Sequence, residues 1–404
     1  MFVKKNGHLT YCTNIHAGET WQSHFEALKA SIPAVKKHVS PEAAMGIGLR
    51  LSNEASLELI KPAQLAAFKE WLHQNQLYVF TMNGFPYGAF HQTIVKDQVH
   101  APDWCSPMRV DYTIRLMDIL NELLPENVEG GVSTSPLSYR YWHGSSGNGF
   151  KEIKQEATLH IIAVVQHLMN IQKLSGNYLH LDIEPEPDGL LESGDEFLDW
   201  YLHDLLPTGI PMLSKAFNLT PAAAEEAIKR HICLCYDICH FALGYESHEG
   251  IIKRIRSQGI QIGKIQISAA IKAKLPALLS TRVALKTAFE AFNENTYLHQ
   301  VIAKTTGNTL IRYRDLPEAL LDLENMEVDE WRAHYHVPLF VETYGDLEST
   351  QEDIKEVLKI YQRDGISKHL EVETYTWDVL PNALKQPLVA SIAREINWVN
   401  DQFV

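Results

Sequence analysis

The sequence predicts an α/β protein, a (β/α)8 TIM barrel with an insertion between strands seven and eight and a C-terminal extension. Two observations predict the class. Short β-rich runs alternate with longer segments of helical periodicity, and eight such runs can be counted, enough to close a parallel sheet on itself. A third points to one unit: no Pro/Gly/Ser linker, internal repeat or low-complexity tract divides the 404 residues. An open, doubly wound sheet is the structural alternative.

The expected strands are LTYCTNIH (9–16), MGIGLRLS (45–52), LYVFTMN (77–83), EGGVSTS (129–135), YLHLDIE (178–184), ICLCYD (232–237), KIQIS (264–268) and PLFVET (338–343). Between them FEALKASIPAVKKHV, AQLAAFKEWLHQNQ, VDYTIRLMDILNELL and LHIIAVVQHLMNIQKL repeat apolar residues at helical spacing. LTPAAAEEAIKR starts as helices prefer, with Thr220 at the N-cap and Pro221 in the first turn. The connection before PLFVET is too long for one crossover, so an insertion of helices and irregular cap is expected at about 270–332. After it and the helix STQEDIKEVLKIYQRDG, HLEVETYTWDVLP (369–381) reads as a ninth extended segment that a simple barrel does not need.

Composition narrows the function classes. Apolar residues make up 45% and charged residues 21%, which allows a large core and argues against disorder. The net charge of −14 opposes binding along nucleic-acid phosphates, which needs clustered Lys and Arg, so a small or neutral ligand is expected. Five cysteines, Cys12, Cys105, Cys233, Cys235 and Cys239, form an odd set without framework spacing, as in a reducing compartment. MFVKKNGHLTYC has no apolar core of a signal peptide, and no run reaches the ~18 apolar residues of a membrane span. The expectation is a cytoplasmic protein of unspecified oligomeric state. The GSSGNG loop (144–149) reads as flexible, and no GxxxxGK[ST] phosphate loop occurs.

In a barrel, alternate strand residues point inward and the carboxyl ends form the active face. By that parity His180, Asp182 and Glu184 share one face, as do Cys233, Cys235 and Asp237, and Lys264, Gln266 and Ser268, while Phe340, Glu342 and Tyr344 would share the face on strand eight. Glu184, Asp237, Gln266 and Glu342 then converge. Carboxylates aimed at one point repel unless protons or a cation intervene, and hard oxygen ligands suit Mg²⁺ or Mn²⁺, with Zn²⁺ open. A second cluster is nitrogen-rich: His240 three residues after Asp237, and His334 and His336 spaced so that both imidazoles face one side of an extended segment. Cys233 and Cys235 read as small core residues rather than thiolate ligands. Asn83, Tyr87, His91, Arg50 and Trp104 are the expected substrate contacts; Arg50 faces inward by parity, and the aromatics lie in loops that can stack on a ring or wedge the loops together.

Several motifs resemble known families. LCYDICHFALGYE is similar to the strand-six motif of the endonuclease IV branch of the xylose-isomerase-like superfamily, VPLFVETYGD to its strand-eight motif and LDIEP to its strand-five motif. The resemblance implies that Glu184, Asp237 and Glu342 are bridging and central-metal ligands and that His240 binds a further ion. His336 matches the His of a DxH pair, with His334 where Asp is usual, and Gln266 stands where a His is usual. Asn83, Ser133 and Ser135 occupy places where the endonuclease has a further metal site, so that site is expected to be missing unless His91 or His100 supplies it. YCTNIHAGETW, GFPYGAFH, WCSPMR, STSPLSYR and HVPLFVETYGD extend a likeness over nearly the whole chain to barrel proteins called ebo-type E, associated with moving a secondary-metabolite or lipid precursor.

Together these readings give a metal-dependent isomerase or epimerase acting on a sugar-like or cyclitol-like polyol, with Glu184 and Glu342 moving the proton. A metal-dependent phosphoester hydrolase is the second reading, favoured by the three histidines. A non-catalytic carrier of a small lipophilic metabolite is the third.

Overall fold

The computed structural model describes the chain apart from residues 4, 6, 92, 145–146, 379, 381–384 and 404 and the side chains of 147–149 and 378. Part of the GSSGNG loop and the end of the segment reaching Pro381 therefore lie outside the described residues.

Seven parallel strands follow one another as expected: β1 (Gly7–Tyr11), β2 (Met45–Arg50), β3 (Leu77–Asn83), β4 (Gly130–Thr134), β5 (Leu179–Ile183), β6 (Ile232–Asp237) and β7 (Ile262–Ile267). The first begins and ends earlier than its β-rich run, because Thr13–Ile15 turn into a 3-10 helix. Helices α1 (Trp21–Val39), α2 (Asn53–Leu59), α3 (Pro62–Gln74), α4 (Pro107–Leu123), α5 (Gly147–Ser175), α6 (Gly194–Trp200), α7 (Leu206–Phe217), α8 (Pro221–His231), α9 (Ile238–Leu243) and α10 (His248–Ser257) lie between and after them. Thr220 caps α8 as expected, its hydroxyl accepting from Ala223 N at 3.2 Å.

The chain then leaves the barrel. Strands β8 (Ile271–Lys274), β9 (Val301–Thr305), β10 (Leu310–Tyr313), β11 (Val328–Ala333), β12 (Thr343–Tyr344) and β13 (Leu347–Ser349) form an antiparallel sheet in the order β10-β9-β11-β8-β13-β12, with α11 (Leu279–Glu290) and α12 (Leu316–Leu321) beside it. This corrects the expectation of helices and irregular cap, and the excursion runs well beyond residue 332. The apolar alternation of Val301, Ala303 and Thr305 against Val328, Trp331 and Ala333 was submerged among helical patterns.

Helix α13 (Gln351–Asp364) ends at Gly365, whose φ of 58° is the left-handed conformation of a helix C-terminus, and the chain returns to the barrel as β14 (His369–Val372). β14 pairs in parallel with β7 (His369↔Lys264 to Val372↔Ile267) and with β1 (His369↔His8 to Val372↔Tyr11). It is the eighth barrel strand, and α14 (Leu388–Asp401) then packs on α1. PLFVET is not that strand. Residues 338–342 run as a loop, and Thr343 and Tyr344 enter a two-residue hairpin around Gly345, with Thr343↔Glu348 and Tyr344↔Leu347 paired.

The circle closes between β1 and β2 largely through one side chain. Thr10 Oγ1 donates to Gly46 O at 2.8 Å and accepts from Gly48 N at 3.1 Å, beside a single bridge from Cys12 to Gly48. Gly48 has no Cβ because one would meet the Glu371 carboxylate. Inward parity holds on β5, β6 and β7. His180 Nδ1 lies 2.6 Å from Asp182 Oδ1, and Lys264 Nζ reaches Glu371 Oε1 at 3.2 Å, Ser133 Oγ at 3.2 Å and Met82 O at 3.3 Å. Lys264 and Glu371 are fully buried. Burial works against the Lys264 charge, but Glu371 and neighbouring acidic groups outweigh it and hold the ammonium pKa above its usual value.

Breaking such a pair leaves an uncompensated charge, whereas replacing both members need not. Lys264→Met is expected to cost about 3–5 kcal/mol in urea unfolding, with most of that recovered in Lys264→Met/Glu371→Leu. A double variant as unstable as the single one would contradict this reading.

Candidate functional site

The carboxyl ends of β5, β6, β7 and β14 bring together Glu184, Asp237, Gln266 and Glu373. Glu342 stands apart: it is exposed, on the loop before the β12–β13 hairpin. Glu373, one residue past β14, occupies the strand-eight place expected of Glu342, because β14 closes the barrel. Asn14 Nδ2 and Asn83 Nδ2 each donate to Glu373 Oε1 at 2.8 Å, and Gln266 Nε2 donates to Oε2. Gln266 turns its carbonyl toward Cys235, whose thiol donates to it at 2.6 Å, so here it tethers Glu373 and does not present a free oxygen. Cys235 Sγ also lies 3.6 Å from Glu184 Oε2.

Asp237 is the N-cap of α9. Its Oδ1 accepts from His240 N at 3.3 Å and Ser268 Oγ at 2.6 Å. The Asp-x-x-His spacing is therefore N-cap to third helical residue, which sets the imidazole beside the carboxylate. Asp237 Oδ2 is buried without a hydrogen-bond partner.

The three histidines meet. His334 and His336 follow β11 on the stretch that brings the insertion back over the barrel mouth. His240 Nδ1 is 2.9 Å from Pro185 O, His336 Nδ1 is 2.9 Å from Glu373 O, and His334 Nδ1 is 2.8 Å from Gln300 Oε1. Each partner is an acceptor, so each Nδ1 carries a proton, and in a neutral ring each Nε2 then holds a bare lone pair. His334 Nε2 and His336 Nε2 stand 3.3 Å apart, and His336 Nε2 is 3.9 Å from Asp237 Oδ2. Two lone pairs that face each other repel unless a proton or a cation lies between them. Tetrahedral zinc with Zn–N of about 2.0–2.1 Å separates its nitrogens by roughly 3.3–3.4 Å, so the donor set fits a divalent ion. Potential ligand atoms of Asp237, His240 and His336 lie within 4.8 Å of one another, as do those of Glu186, His240 and His334.

Glu186 was missed from the sequence. It lies two residues beyond Glu184, its Oε2 is buried without a hydrogen-bond partner, and His100 Nε2 from the loop after β3 is 3.8 Å away. Its signal was the alternation of the EPEP stretch. Asn14, just past β1, left no signal beyond being a polar residue near a strand end.

Electrostatics agree with the geometry. Burial, then Glu373 and Asp237, push the Glu184 carboxyl well above its usual range, and burial with Asp237 does the same for Glu186 and Glu373. Burial holds His336 neutral, its pKa brought down to about 4, and places His334 lower than usual. These directions describe a cluster that needs protons or a cation.

Of the expected substrate contacts, Asn83 lines the cavity. The cavity is also lined by Asn14, Glu184, Glu186, Glu373 and the three histidines. Arg50 instead pairs with Glu19 at 3.3 Å and donates to Gly88 O, binding loop to loop. Trp104 is fully buried with Nε1 on Thr134 Oγ1 at 3.2 Å, Tyr87 packs on Tyr112, and His91 Nε2 lies 2.5 Å from Asn14 O. These four serve the loops' packing.

Glu395 on α14 steadies both ligand-bearing segments: its Oε1 accepts from Leu339 N at 3.1 Å and Thr374 Oγ1 at 2.7 Å. Burial raises its pKa to about 8, above the usual value near 4.5. The stability this group contributes is therefore whole below about pH 4.5 and is lost as the pH rises toward 8. Glu395→Gln should flatten the stability curve across that window by a few kcal/mol, at about 1.4 kcal/mol per pH unit, in urea unfolding at several pH values. Parallel curves for the variant and the parent would refute a protonated Glu395.

No family model and no curated protein matches the chain. Among solved structures, the chain is similar to a 3-keto-D-glucoside 4-epimerase from E. coli (9% identity, 98% of this chain and 99% of that one, TM-score 0.44). It is also similar to a D-psicose 3-epimerase determined in the presence of D-fructose (10%, 97% and 96%, TM-score 0.45). A third is the IOLI protein with a bound zinc atom (12%, 98% and 98%, TM-score 0.43). The ebo-type E resemblance rests on its sequence motifs alone. Among the described residues no helix is long and apolar enough to cross a membrane.

Proposed function

We propose that the protein is a metal-dependent enzyme of the isomerase or epimerase type, acting on a small sugar-like or cyclitol-like molecule. One observation carries the reading: the unpartnered Oδ2 of Asp237 lies 3.9 Å from Nε2 of His336, and His336 lines a cavity together with Glu184, Glu373, His240 and His334. Asp237, His240, His334 and His336 would hold the ion, with Glu184, Glu186 and Glu373 beside it. A divalent ion there (Mn²⁺, Mg²⁺ or Zn²⁺) polarises a substrate oxygen and acidifies the neighbouring C–H.

The chain's own groups supply the rest. Glu184 and Glu373 stand just past β5 and β14, with β6 and β7 between those strands in the ring, and both line the cavity. Their raised pKa values suit carboxyls that take a proton and give it back. Asn14, Asn83 and Gln266 fix the Glu373 carboxylate, so its orientation needs no rearrangement when substrate enters. In this reading Glu373 takes the role first expected of Glu342. The metabolic setting suggested by the motifs, biosynthesis or traffic of a secondary metabolite or lipid precursor, accords with it.

A second reading, phosphoester hydrolysis, is favoured by the three imidazoles, which a single-ion proton transfer does not need. Counting ions separates them: one tightly held ion per chain supports isomerisation, two or more support hydrolysis.

Metal-dependent deuterium uptake from solvent into members of a keto-sugar and polyol panel is the direct assay. Glu184→Gln and Glu373→Gln should lower it by about 10²–10⁴-fold, with Glu342→Gln within about twofold of the parent. No exchange with any member would remove the proposal. Gln300→Leu, which strips His334 of its Nδ1 acceptor, should weaken divalent-ion binding by about 10–100-fold in chelator competition. Unchanged affinity would place the ion elsewhere.

A further inference from the structure

The cavity is built from two chemically different sets of residues. The polar set comes from the strand ends and the His334–His336 stretch. The other set comes from the loop after β3, with Phe85, Phe90, Val95 and Val99, and from the insertion, with Tyr297 and Leu298. Phe90, Val95 and Tyr297 form a small core of their own, with Val99 and Tyr375 packed on it. The backbone fixes this wall, since Val95 N and Lys96 N both donate to Thr296 O, at 2.7 and 3.0 Å.

The second set offers almost nothing to a hydroxyl. Tyr297 directs its phenol to Phe90 O at 3.0 Å. Lys96 is the one lysine or arginine among the described lining residues, and its ammonium lies 2.6 Å from Asp315 of the insertion. A ring carrying hydroxyls all round would bury some of them against carbon, at about tenfold in affinity for each one left unpaired. A phosphorylated substrate would find that ammonium already matched by a carboxylate.

We infer that the substrate is two-faced: adjacent oxygens on one edge, bound at the carboxylate and imidazole side, and hydrocarbon on the other, laid against the Phe85–Val99 and Tyr297–Leu298 walls. This rests on the proposed metal-dependent centre and narrows its substrate from a free polyol to a vicinal diol or hydroxy-ketone with an apolar body.

The test compares two rings of equal size, cis-1,2-cyclohexanediol and myo-inositol, by calorimetry on Mn²⁺-loaded protein whose metal content is measured in the same sample. The diol is expected to bind at least about tenfold more tightly. Val99→Asn and Leu298→Asn, each giving the apolar wall a hydrogen-bonding partner, should narrow that preference about fivefold or more with metal content unchanged. Equal affinities, a preference for myo-inositol, or failure of both rings to bind metal-replete protein would overturn the two-faced substrate. Protein that takes up no Mn²⁺ or Zn²⁺ and binds neither ring would overturn the underlying reading of the centre.

Discussion

The insertion of β14 between β7 and β1 is the constraint from which the site follows. Two parallel ladders fix its register, and that register decides three things at once. It sets Glu371 against Lys264 inside the barrel, carries Glu373 to the mouth beside Asn14 and Gln266, and leaves the chain between β7 and β14 free to travel. The excursion comes back over the mouth with His334 and His336. The carboxylates and the imidazoles thus reach one cavity by different routes, the former on barrel strand ends and the latter largely on the stretch that follows a separate antiparallel sheet.

Like charge is the second constraint. Glu184, Glu186, Asp237 and Glu373 are buried together, and the ammonium beneath them, that of Lys264, is already engaged with Glu371. The protein answers with geometry. Backbone carbonyls of Pro185 and Glu373 and the side-chain carbonyl of Gln300 accept hydrogen bonds from Nδ1 of three histidines, which leaves each Nε2 to serve as a ligand atom. The tautomers, and with them the capacity to hold a cation, are properties of the fold.

Much of this was legible in the residues. Seven of the eight strands stand where alternation and β-branched runs put them, and inward parity identified Glu184 and Asp237. Spacing linked His240 to Asp237 and His334 to His336, because a helix cap and an extended segment each impose a fixed side-chain separation. The eighth strand was misplaced for a specific reason: Val-Glu-Thr-Tyr occurs twice, at 341–344 and at 372–375. Both copies carry strand propensity, and only the three-dimensional partner of each separates them. The helix ending at Gly365 immediately before the second copy was the available clue, since a barrel strand follows a helix. Glu373 was lost with that choice. Gln300 and Asn14 act through contacts between distant segments, which leave no periodicity to read.

The ring's last partner arrives late. β1 and β14 pair across some 360 positions of sequence, so a nascent chain carries the first seven strands and the whole excursion before β14 is available. Until then the edges of β1 and β7 lack their shared neighbour, the kind of unpaired edge that invites mispairing with other chains. Slow, holdase-sensitive maturation is a natural property of such an architecture, and truncation short of residue 372 would remove the keystone rather than a tail.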